Sequence, residues 1–138
     1  MITRAISLLS LFVVLNITNQ GTKPISEVSL VKIKNNKREE ALFFYMNNWK
    51  VFREAALKKG YIVSYKLFVS KQGSNADFDI MLITNYKDSI QFKNSEANFA
   101  PILKSTRPQG PKLMNDVKRE DFIEHVSSSV TEVVTSER

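Results

Sequence analysis

The hydrophobic pattern after residue 26 constrains this chain most, because its period changes several times in a definite order. A strand repeats its apolar positions every second residue, whereas a helix repeats them every three or four residues. The pattern predicts a strand, a helix, two strands, a weaker helical region and a possible closing strand. These segments are Glu27–Lys34, Lys37–Lys59, Tyr61–Ser70, Phe78–Tyr86, Lys87–Ser105 and Val126–Val134.

This order predicts an α+β domain: a ferredoxin-like β-α-β-β-α(β) sandwich, whose antiparallel sheet carries helices on one face. The helix at Lys37–Lys59 is the clearest element, with Leu42, Tyr45, Met46, Trp49, Phe52 and Ala56 along its apolar stripe. Gly60 is placed to end that helix. In the second helical region we expect a break near Asn98–Ala100, because Pro101 cannot sit deep within a continuous helix.

The N-terminal segment differs from the rest of the chain. Arg4 is followed by a mainly apolar stretch, Ala5–Leu15, which is shorter than the roughly 20 residues of a spanning helix. We therefore interpret residues 1–20 as a signal peptide, residues 21–26 as a linker and residues 27–138 as a single domain. The mature protein is expected to be secreted or periplasmic, with no membrane attachment after the signal is removed.

Composition narrows the range of functions. The chain has 138 residues and no cysteine, which removes disulfides, thiol nucleophiles and thiolate metal sites. The net charge of +6 is spread along the chain among acidic residues, so we expect no binding of nucleic acid. With four glycines in the chain, no phosphate-binding loop can be written, and no nucleotide cofactor is expected.

The strand patterns predict one core-like sheet face and one mixed face. Large apolar side chains lie among polar ones on the mixed face, namely Ile62, Phe68, Met81 and Ile83. Leaving each of them in water would be unfavourable by about 1.5–3 kcal/mol. We therefore predict a homodimer in which a second copy packs its sheet against this face and leaves a cavity between the sheets.

The element order, the first helix with Trp49 and the strand pair within Tyr61–Tyr86 resemble the dimeric α+β barrel superfamily. That group includes antibiotic-biosynthesis monooxygenases and the EthD and NIPSNAP-type small domains. The resemblance implies a homodimer, and its members range from cofactor-independent oxygenases and isomerases to haem-degrading enzymes. The haem-degrading members use a helix-borne histidine, which both main helices lack here, so we expect no haem and no other cofactor.

The aromatic side chains around Trp49 have two interpretations. They pack in the core and the dimer interface, or they form the wall of a ligand pocket in which tyrosine hydroxyls orient a substrate. The residues expected to bind a ligand in such a pocket are Tyr45, Asn48, Trp49, Tyr65, Lys66, Phe68 and Met81.

His125, the single histidine, is the residue most suited to metal binding. A helix would place it on one face with Asp121, four positions earlier, but a zinc site needs a third protein ligand. We therefore predict no metal site, and we interpret His125 as a surface residue. No catalytic residue can be assigned.

Three functions remain open. The leading one is an exported homodimeric α+β-barrel domain of undefined activity that binds a small, largely apolar ligand between its sheets. A second is a cofactor-independent monooxygenase or isomerase acting on an aromatic substrate. A third is a non-catalytic protein-interaction module whose interior is filled by side chains.

Overall fold

The computed structural model describes residues 23–134, which form one four-stranded sheet with helices on one face. The strands are β1 (Ile25–Ile33), β2 (Ser64–Val69), β3 (Ile80–Tyr86) and β4 (Ile123–Glu132). The helices are α1 (Arg38–Phe44), α2 (Lys50–Lys58), α3 (Ser89–Lys93), α4 (Ser95–Thr106) and α5 (Arg119–Phe122). The signal peptide expected at residues 1–20 lies outside the described residues and stays a prediction.

The sheet confirms the ferredoxin-like fold. Its strand order is β2-β3-β1-β4, and every neighbouring pair is antiparallel. β1 and β2 therefore run parallel on either side of β3, which is the split β-α-β arrangement. β1 begins at Ile25, so Ile25 and Ser26, expected in the linker, pair with Tyr86 and Asn85 instead. The closing strand is also present, and it begins at Ile123.

The predicted long helix is helical throughout, but a π-helical turn at Tyr45–Trp49 joins α1 to α2. Within this turn the Lys50 N–H donates to the carbonyl of Tyr45, five residues earlier. The wider turn changes which side chains face inward. Met46, predicted on the apolar stripe, is 46% exposed, whereas Asn48 is 2% exposed. Such turns are frequent at functional sites.

The segment after α2 corrects the predicted faces. Gly60, at a φ of +71°, ends the helix, and the Tyr61 N–H donates to the Ala56 carbonyl at 2.9 Å. The chain enters β2 only at Ser64, so the strand alternation does not extend back to Ile62. The prediction that Ile62 lies on the mixed face is therefore wrong, since Ile62 is 3% exposed and packs in the core.

The second helical region breaks at Asn94, so the predicted break near Asn98–Ala100 is wrong. α4 runs through Pro101, which has no N–H to donate to the carbonyl of Ala97. Ala97 and Pro101 are both exposed, so water can bind that carbonyl. The helix therefore tolerates this proline on its outer side.

The core lies between the sheet and the helices in two clusters. The first contains Val31, Ala41, Tyr45, Ile80, Leu82, Phe122 and Ile123. The second contains Ala56, Ile62, Tyr86 and Ile102. Within residues 23–134, no helix is both long and apolar enough to cross a membrane.

Candidate functional site

A cavity of about 730 Å³ opens between the helix-covered face of the sheet and the π-helical turn. Its floor is buried and is formed by Val31, Tyr45, Asn48 and Leu82. Its rim is exposed and includes Ala100, Leu103, Lys104, Gly110, Pro111 and Arg119. Small-molecule sites commonly occupy about 300–1,000 Å³, so this space is large enough for a ligand.

The π-helical turn supplies three of the residues predicted to bind a ligand. Tyr45, Asn48 and Trp49 all line the cavity. Tyr65, a fourth predicted residue, packs edge-on against Trp49 with the ring centroids 5.7 Å apart. Phe44 and Phe52 extend the aromatic wall on either side of the turn. The first helix therefore presents a largely aromatic surface to the cavity.

The Asn48 side chain holds the cavity wall together. Its Nδ2 donates to the carbonyls of Phe44 at 2.9 Å and Lys112 at 2.8 Å. Its Oδ1 accepts from the Lys112 N–H at 2.8 Å and from Arg107 Nε at 3.3 Å. Because both ends of the amide are occupied, Asn48 shapes the cavity by tying the loop after α4 to the π-helical turn.

Three arginines from separate elements line the same cavity. The Arg53 guanidinium lies 4.9 Å from the Trp49 ring centroid and 4.3 Å from that of Phe99, and its Nε donates to Thr84 Oγ1 at 3.0 Å. Arg107 donates to the carbonyls of Asn47 and Thr106 as well as to Asn48. Arg119 lies 5.7 Å from the Phe44 ring centroid.

The cavity wall carries positively charged side chains and no negatively charged ones in the described chain. Lys104 adds a cation to the three arginines at the wall, whereas no Asp or Glu of the described chain lines it. Burial lowers the pKa of Arg53, and burial also raises the pKa of Tyr45 against the opposing effect of the nearby Arg119 charge. The Tyr45 hydroxyl is therefore protonated at neutral pH and can donate a hydrogen bond.

His125 lies at the cavity wall, on strand β4. Its Nε2 is 2.8 Å from Ser128 Oγ, which is 2.9 Å from Ser29 Oγ. The helical pairing with Asp121 considered from the sequence is wrong, because α5 ends at Phe122 before the strand begins. Among residues 23–134 no group of three or more potential metal ligands occurs.

The remaining predicted site residues lie on the opposite face of the sheet. Lys66 and Phe68 are exposed there, and Met81 is half-buried. Phe68 and Met81 border a shallow depression of about 360 Å³. Because the sheet separates them from the π-helical turn, the seven predicted residues do not form one site.

Sequence reasoning missed the arginines. Arg53 follows Trp49 by four positions on the helix, and that spacing is a signal that could have identified it. Arg107 and Arg119 follow α4 in a loop and a short helix, where no periodicity indicates which way a side chain faces. Only the folded chain brings them to the cavity that Trp49 lines.

Neither a scan of protein-family models nor a search of curated proteins finds a match to this sequence. Solved structures do resemble it. HapK from Hahella chejuensis is 13% identical with a TM-score of 0.50, and the match covers 83% of this chain and 96% of HapK. At this identity the likeness bears on the fold alone.

Two further structures match less well. A candidate monooxygenase from Shewanella loihica PV-4 is 13% identical with a TM-score of 0.49, over 83% of this chain and 98% of that chain. A dimeric protein of unknown function and ferredoxin-like fold from Bacteroides fragilis NCTC 9343 is 14% identical with a TM-score of 0.48, over 80% and 96%. Both TM-scores are below 0.5, so nothing is drawn from them. The strand order confirms the predicted ferredoxin-like fold, and the likeness to HapK is a likeness of fold.

Proposed function

We propose that this protein is a homodimeric domain that binds a small, largely apolar, aromatic ligand. The proposed ligand site is the cavity between the sheet and the helices of each chain. It replaces the site that the sequence predicted between the sheets of two subunits. The observation that carries the proposal is the aromatic cavity of about 730 Å³ above a buried floor.

The aromatic wall favours a flat ligand. Protein interiors are close-packed, and a purely structural module would fill such a space with side chains. Here Phe44, Trp49 and Phe52 leave it open. Aromatic rings pack favourably edge-on or offset against one another, so a ligand ring would replace the missing packing partners.

Ligand binding can be followed through Trp49, the single tryptophan of the chain. Titration with N-phenyl-1-naphthylamine, an uncharged aromatic probe, should quench Trp49 fluorescence and saturate at one probe per chain. Ala100→Phe, at the rim, should block binding. Ala97→Phe is the matched control, since Ala97 is also exposed on α4 but does not line the cavity. Unchanged Trp49 fluorescence, or equal binding by both variants, would refute the proposed site.

The homodimer is proposed from the open face of the sheet. Leu30 and Phe68 both pair with Met81 in register, and Val28 and Lys66 both pair with Ile83 beside them. No described helix packs on this apolar centre. Polar side chains that bond to one another border it, namely Ser26, Ser64 and Asn85.

An apolar centre with a polar border is what a pair of sheets buries when it packs face to face. A second copy of the chain would present the same face across a two-fold axis, so each apolar centre would cover the other. The occupant proposed for this face is therefore an identical subunit.

A further inference from the structure

We propose that the cavity selects an aromatic ligand that carries a negative charge, such as an aromatic carboxylate or sulfonate. This inference rests on the proposed ligand binding and adds the chemical class of the ligand. It is carried by the convergence of Arg53, Arg107 and Arg119 on one aromatic cavity.

The positive charges at the cavity wall have no carboxylate partner among the described residues of its lining. The ion pairs found in residues 23–134 join lysines to glutamates, at Lys23–Glu132, Lys37–Glu40 and Lys50–Glu54. None of the cavity arginines belongs to such a pair within that part of the chain. The cations at the cavity wall therefore face a space that holds no compensating carboxylate.

Arg53 is partly buried, whereas Arg119 is exposed. The Arg53 guanidinium is held between the rings of Trp49 and Phe99, and its hydrogen-bond partner Thr84 is neutral. Glu27 and Glu96 line an adjoining cavity that Arg53 also borders, and there Glu27 accepts a hydrogen bond from Tyr86 at 3.3 Å. A desolvated cation gains most from an anion that can approach it directly.

The position of Arg53 beside the aromatic wall constrains the shape of the ligand. Arg53 lies against the same Trp49 ring that forms the aromatic wall. A ligand whose ring packs on that wall would therefore bring an acidic substituent within reach of a guanidinium. A neutral ligand of the same shape would gain the packing and lose the charge-assisted hydrogen bonds.

A pair of probes separates charge from shape. 8-Anilinonaphthalene-1-sulfonate is N-phenyl-1-naphthylamine with one added sulfonate, so the two differ chiefly by one negative charge. The sulfonate should bind at least about tenfold more tightly, the effect of one charge-assisted hydrogen bond of about 1.5 kcal/mol. Arg53→Gln and Arg119→Gln should each lower this preference, measured as the ratio of the dissociation constants of the two probes.

Lys66→Gln is the matched control. This substitution also removes one positive charge. Because Lys66 is exposed on the opposite face of the sheet, the substitution should leave the affinities for both probes unchanged. Equal affinity for the two probes, or arginine variants that keep the preference, would overturn the charge selection while leaving ligand binding intact. If neither probe bound, the proposed function itself would fail. Arg119 is exposed, so its variant tests the idea even if Arg53→Gln does not fold.

Discussion

The two faces of the sheet are built from the same strands and have opposite surroundings. On the helix-covered face, Ile80 and Tyr86 are at most 1% exposed, and the arginine-lined cavity opens beside this packed core. On the open face, Met81 and Ile83 are half-buried and Phe68 is 48% exposed. Strand β3 alternates between the two environments at every residue.

Apolar content alone therefore does not locate a binding site on this sheet. The open face is apolar and has a shallow depression of about 360 Å³, which suits another protein surface. The covered face is concave and combines aromatic rings with cations, which suits a small molecule. We therefore assign protein association to the open face and ligand binding to the covered face.

The largest expected effect is on stability at the covered face. Ile80→Ala, at a position that is 0% exposed, should lower the free energy of unfolding by about 2–5 kcal/mol. Ile83→Ala, in the same strand but facing outward, should lower it by less than about 1.5 kcal/mol because the side chain is only half-buried. Urea denaturation of the dissociated chain, at concentrations below the dimer dissociation constant, measures both values, and equal losses would contradict the contrast between the faces.

The next effect concerns association through the open face. Ile83→Arg would place two like charges across the two-fold interface and should raise the dimer dissociation constant at least about a hundredfold, or about 3 kcal/mol. Ile90→Arg is the control, because Ile90 is 63% exposed on α3. Sedimentation equilibrium reports the masses, and a wild-type protein that is monomeric at micromolar concentration would end the dimer proposal.

A smaller effect is expected at the cavity wall. Asn48→Ala leaves buried partners on the π-helical turn and the loop unsatisfied and should destabilise the fold by about 1–3 kcal/mol. The Lys112 amide should then exchange its hydrogen faster. Asn47→Ala is the matched control, since the Asn47 side chain donates one hydrogen bond, to the Phe43 carbonyl. Unchanged exchange at Lys112 would show that Asn48 does not hold this loop.

The smallest effect appears in alkaline solution. Burial, with the nearby Glu27 charge, raises the pKa of Tyr86 from 10.0 to about 12. Between these pH values the unfolded chain releases the Tyr86 proton and the folded chain keeps it, so stability falls as the pH rises, by up to about 1.4 kcal/mol per pH unit. Tyr86→Phe should flatten that part of the stability profile. An unchanged slope would contradict the buried, neutral state of Tyr86.

Much of the fold could be predicted because its signals are local. The period of the apolar residues located every strand, and Gly60 marked the end of the long helix. The errors arose where tertiary structure decides. Ile62 lies between the helix-ending turn and the first residue of β2, so the strand alternation does not apply to it. Pro101 lies on the exposed side of α4.

The site was harder to predict for the same reason. Tyr45, Asn48 and Trp49 share one turn of helix, so spacing alone brought them together. Lys66 and Met81 were added on the assumption that the apolar open face held the ligand. Arg107 reaches the cavity through hydrogen bonds to Asn47 and Asn48 across the fold, which no local pattern reveals.

A crystal structure of the protein with N-phenyl-1-naphthylamine would test most directly which face of the sheet binds a ligand. We expect density for the probe between Trp49 and Leu82, on the helix-covered side. Density between Phe68 and Met81, on the open side, would contradict it.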